Sequence, residues 1–124
     1  MRSLGVDART RAFPDHHPYA PADLDLPGAE PDGSIVDDEG AVWNAQWGAG
    51  RVVRYLPDGR IERIVKVPSP QPSCCILRED TLYITSARIG LDAGALAAAP
   101  MSGGVFAYRT GRALARATDR VRLP

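Results

Sequence analysis

PDGSIVDDEGAVWNAQWGAGRVVRYL, residues 31–56, decides the fold. Ser34–Val36 is a short extended run, and Asp37-Asp38-Glu39-Gly40 is a polar turn ending in Gly. Val42–Trp47 is rich in aromatic and β-branched residues and reads as a second strand. Gly48-Ala49-Gly50 turns the chain again. Arg51–Leu56 then alternates, with Val53 and Tyr55 on one face and Arg54 on the other. Period-two alternation between Gly-containing turns is the pattern of an antiparallel meander. Pro57-Asp58-Gly59 makes a further hairpin turn, because Pro presets φ and Gly accepts positive φ. Ile61–Val67 is the fourth strand. Four short strands in succession read as one up-and-down propeller blade.

The pattern then starts again. PSPQP, residues 68–72, is a proline-rich connector. Ser73–Leu77, Thr81–Ser86 and Val105–Tyr108 read as strands, with turns at Arg78-Glu79-Asp80 and Gly103-Gly104. Ile35, Val42 and Trp43 match Cys75, Leu82 and Tyr83 at an offset of 40, and Val52, Val53 and Tyr55 match Val105, Phe106 and Tyr108 at 53. The difference is an insertion near residues 87–100. There Asp92 is placed to cap a short helix that Pro100 stops. A four-strand unit recurring at about 40 residues has the propeller period. The expected fold is therefore all-β, about two blades of a propeller. Each blade buries its faces on its neighbours, so two blades alone leave apolar faces open to self-association.

Residues 1–30 form a separate, irregular segment by this reading, ahead of blades over 31–124. Pro14, Pro18, Pro21 and Pro27 interrupt it, and only Arg11–Phe13 resembles a strand. His16 and His17 are adjacent and lack a third ligand at metal spacing. After Thr110, one last strand and a frayed end both fit.

Composition narrows the classes of function. The chain has 124 residues, the size of one domain, with 15 basic residues against 15 acidic. That balance gives no electrostatic footprint for nucleic acid or an anionic membrane. No apolar run is long enough to span a bilayer, and the first residues lack a secretory signal's apolar stretch. Cys74 and Cys75 are neighbours, which rarely bridge, so a cytoplasmic protein with reduced thiols is expected. One of the two should face the core. Trp43, Trp47 and Tyr55 read as packing aromatics, with Trp47 near enough to a turn to line a sugar pocket.

Pro31-Asp32-Gly33, the stretch DDEGAVWNAQWGAGRVVRYLPDG, then PQPSCC, LYITSARIGL and SGGVFAY resemble the C-terminal part of the senescence marker protein, gluconolactonase and luciferin-regenerating enzyme family. The resemblance implies a six-bladed propeller that holds one divalent cation (calcium, zinc, magnesium or manganese) on its axis and hydrolyses sugar lactones. It implies that Asp32 is a metal ligand and the general base. The chemistry is consistent with that role. A lactone is a cyclic ester, whose hydrolysis needs a polarised carbonyl and a base to deliver water. Taken alone, Pro-Asp-Gly is also an ordinary turn sequence. The family's other ligands, a Glu and an Asn, have no matching motif in residues 1–30, and Asn44 sits within a strand. Two readings therefore stand: a metal-dependent lactonase completed by further blades, and a non-catalytic remnant or binding module that packs on another chain.

Overall fold

The computed structural model describes residues 2–3, 28–117 and 122–123. It is an all-β arrangement of two four-stranded sheets with one short helix among the described residues. The strands are β1 (Arg2–Ser3), β2 (Glu30–Val36), β3 (Val42–Trp47), β4 (Arg51–Tyr55), β5 (Ile61–Lys66), β6 (Pro72–Arg78), β7 (Thr81–Ser86) and β8 (Val105–Arg109). The helix α1 spans Ala93–Ala98. The first sheet is the antiparallel meander β2-β3-β4-β5. The second runs β6-β7-β8, also antiparallel, and β1 adds to β8 in parallel.

Alternation places one face of each sheet in a shared core. Trp43, Ala45, Val52 and Val65 come from the first sheet, and Cys75, Leu82, Ile84, Phe106 and Tyr108 from the second. Each large side chain fully buried there contributes roughly 1.5–3 kcal/mol. Gly33 on β2 abuts Cys74 on β6, so these two edge strands run close together.

Two turns account for the spacing of the repeat. Val36 pairs with Val42 across a five-residue gap, whereas Arg78 pairs with Thr81 across two residues. The register then equates Val36 with Arg78, Trp43 with Leu82, and Arg54 with Tyr108, at offsets of 42, 39 and 54. The expected offset of 40 would match Val42 with Leu82. That match fails because a one-residue slip reverses which face a side chain takes, and Leu82 and Trp43 are the ones in the core.

The helix forms as expected: the Asp92 side chain accepts from the Ala95 N–H at 2.8 Å. Other expectations shift. Pro31-Asp32-Gly33 lies inside β2 and not before it, and Pro72 opens β6; Pro is tolerated on an edge strand and at a strand's first residue. An irregular segment ending at residue 30 would cut β2, which starts at Glu30, and Arg2–Ser3 pairs with β8. The Arg11–Phe13 strand and the His16-His17 pair lie outside the described residues.

The chain after Thr110 is neither a strand nor free over the described residues. Leu114 is 1% exposed in the core. The Asp38 N–H donates to its carbonyl at 2.9 Å, and its own N–H donates to the Glu79 carbonyl at 3.1 Å. The segment straps the β2–β3 turn to the β6–β7 turn.

Candidate functional site

Asp32 stands where β2 leaves its ladder. Pro31 pairs with Gln46 and Ser34 with Asn44, and the register breaks between them. This bulge lifts Asp32 and Gly33 out of pairing. The Asp32 side chain is exposed, and with Glu30, Pro31 and Trp47 it lines a recess of about 290 Å³. The backbone of Asp32 is held. Asn44 Nδ2 donates to its carbonyl at 3.0 Å and to Ser34 Oγ at 2.8 Å, and Ser34 Oγ lies 3.3 Å from the same carbonyl.

Among the described residues no three His, Cys, Asp or Glu side chains cluster to hold a metal ion. Asp32 and Glu30 line one recess, a donor set well short of the roughly six to eight oxygens that calcium takes. The chain's own described residues do not by themselves make a divalent site.

The deepest polar feature is elsewhere. Asp37 is 1% exposed and fully engaged. Its Oδ1 accepts the N–H groups of Glu39 and Ala41 at 2.9 and 3.0 Å. Its Oδ2 accepts from Trp43 Nε1 and Arg54 Nε, both at 2.9 Å. Arg54, 0% exposed, also meets Glu39 at 3.1 Å and Glu62 at 3.2 Å and stacks 5.7 Å from the Trp43 ring centre. Arg112 of the strap grips Glu39 at 2.8 and 3.0 Å. That grip, aided by Arg54, holds the Glu39 carboxyl well below its usual value, at about 2. The turn at residues 37–40 is present, but a turn reading leaves out that Asp37 is the acceptor for three buried donors, the Ala41 N–H, Trp43 Nε1 and Arg54 Nε. The available signal was Arg54 itself, in step with Trp43 on the core-facing side of the meander and in need of a partner.

The cysteines divide as expected. Cys75 is buried, and burial pushes its thiol up to about 12; Cys74 is exposed. Trp43 packs in the core, and Trp47 lines the Asp32 recess.

Two sheets of antiparallel meander thus carry an exposed carboxylate on a bulge of the edge strand β2. Residues 5–88 match the SMP-30/gluconolactonase/LRE-like region, and the chain belongs to that family. The match takes in residues 5–30, where none of the recognised motifs lies. An L-arabinolactonase from Azospirillum brasilense is 57% identical over 90 residues, 72% of this chain and 30% of that protein. Regucalcin from Danio rerio is 46% identical over 80 residues, 61% of this chain and 27% of that one. A solved regucalcin from Agrobacterium tumefaciens str. C58, described as a calcium-binding protein, superposes with a TM-score of 0.68 at 38% identity, covering 77% of this chain and 33% of that one. The chain thus spans about a third of the relatives it matches.

Proposed function

We propose that this chain supplies two blades of a six-bladed lactonase propeller and that Asp32 is its general base. The observation that carries the reading is the exposed Asp32 carboxylate, displayed on a bulge beside Trp47 in a chain of the gluconolactonase family. Relatives named L-arabinolactonase and 6-deoxy-6-sulfogluconolactonase point to a sugar lactone as substrate. In this reading the Asp32 carboxylate takes a proton from water, the hydroxide oxygen bonds to the lactone carbonyl carbon, and the ring C–O bond breaks. The departing ring oxygen takes up a proton, leaving an open hydroxy acid. Trp47 offers an apolar wall to the sugar ring.

Asp32 is also the side chain proposed to reach a divalent cation, whether calcium, zinc, magnesium or manganese. The remaining oxygens would come from other blades. A reducing cytoplasm is the proposed compartment, since Cys74 and Cys75 are both unbridged. No described helix is long and apolar enough to cross a membrane.

The test is lactone opening followed by acid release. The expected result is opening above the spontaneous rate that Asp32→Asn lowers by roughly 10²–10⁴-fold. Opening that Asp32→Asn leaves intact rejects the role of Asp32. A chain with no activity in any metal favours the alternative, a non-catalytic module packed on another chain. The specific support for that alternative is that, among the described residues, no group of three His, Cys, Asp or Glu side chains forms around Asp32.

A further inference from the structure

The geometry points to Asn44 as the positioning residue that pins the β2 bulge and so sets where the Asp32 carboxylate stands. This rests on the reading of Asp32 given above and extends it to a neighbour with no reacting atom. Asn44 lies in the middle of β3 and is 7% exposed, an unusual place for an amide unless its hydrogens are used. Both are used at the bulge. One goes to the Asp32 carbonyl at 3.0 Å and the other to Ser34 Oγ at 2.8 Å. The Ser34 hydroxyl lies 3.3 Å from the same carbonyl and closes a three-membered ring of contacts. The carbonyl can only accept, so the amide has one possible orientation.

A bulge lacks the ladder bonds that hold the rest of a strand, so something else must hold it. On its other side the bulge is fixed by contact. A Cβ at position 33 would stand 2.5 Å from Cys74 Sγ and 2.8 Å from Cys74 Cα, so Gly33 is seated directly on β6. Asn44 pulls the bulge toward β3 while Cys74 backs it from β6. Asp32 is caught between the two, with its side chain left exposed. Without the Asn44 donors, the Asp32–Gly33 peptide is free to lift away from Cys74.

Cys74 therefore reports on the bulge without any need for turnover. The experiment measures trapping of Cys74 by a dithiodipyridine reagent, which reacts with thiols in acid as well as at neutral pH, located by peptide mass. The proteins compared are the full chain, Asn44→Leu and Asn44→Asp. Leu and Asp share the shape of Asn, and each lacks the amide donors. Cys74 is already exposed and only the side of Sγ that meets Gly33 is covered, so at neutral pH both variants should trap it about twofold faster than the parent. Ser34→Ala removes an acceptor of the same amide from an exposed residue and should give a smaller rise. A role of Asn44 in packing alone predicts no rise in Ser34→Ala. Should Asn44→Leu fail to give sheet signal by circular dichroism, Ser34→Ala takes its place. Unchanged trapping in the folded variants overturns the inference. Faster trapping in a chain that opens no lactone keeps the role of Asn44 and rejects the hydrolytic reading. Unchanged trapping in an active chain does the reverse.

Discussion

Asp37 shows what one buried carboxylate can organise. It takes two backbone N–H groups, the Trp43 indole and the Arg54 guanidinium. Arg54 is 0% exposed, so Asp37→Ala would leave a buried cation without its closest counter-ion. We expect a loss of about 3–5 kcal/mol, read by urea denaturation. Glu39 gives a prediction in pH. Its carboxyl, ordinarily near 4.5, is held at about 2 first by the Arg112 hydrogen bonds. Its folded-state value is depressed, so its contribution is present in full above about 4.5 and is lost as pH falls toward 2. The parent's urea midpoint should drop across that window. Arg112→Leu should flatten this part of the drop, because the variant has less of the interaction to lose. An identical profile in both proteins would contradict the assignment to Arg112.

At the scale of elements, the hairpins govern how alike the two sheets are. The first uses a longer turn capped by Asp37, whereas the second turns within Glu79 and Asp80. Glu79 adopts a φ of 54°, the left-handed region that costs a residue with a Cβ. Glu79→Gly should raise stability by roughly 0.5–1 kcal/mol, the relief of strain exceeding the added chain entropy. A thermal melt checks it, and a fall would show that the Glu79 side chain does something its backbone does not reveal. The strands β2 to β8, their antiparallel order and the capped helix are legible in the sequence, because alternation, turn residues and an N-cap are local signals, whereas β1 and its parallel pairing with β8 are not. The register is less so, because residue identity alone suggests the wrong offset. Val42 and Leu82 are alike in character but lie on opposite sides of their sheets. The site was legible in part. Asp32 could be named from its motif, while Asn44 could not, since nothing local marks a strand amide as the partner of a bulge.

Over the described residues, two sheets are joined by a strap. Leu114 fills the core from the strap, so Leu114→Ala should cost about 2–5 kcal/mol and loosen both hairpin turns together. On the outer side, Ile76 is 63% exposed and Val105 40%. We propose that these positions mediate self-association when no other blade covers them. Light scattering after size exclusion, with calcium and then with chelator, tests this. A discrete assembly that falls apart on chelation supports a ring around a shared cation, and a metal-indifferent monomer rejects it.

By itself the sequence determined that this protein is all-β, where most of its described strands and turns lie, and which family it belongs to. Those properties follow from the backbone preferences of short stretches and from motifs read in order. Only the tertiary structure decided that Asp32 sits on a bulge inside β2, that Asn44 holds it there, and that Arg112 closes on Glu39. Residue separations within these contacts run from 10 to 73. Contacts of that kind are made by folding, and no local pattern along the chain specifies them.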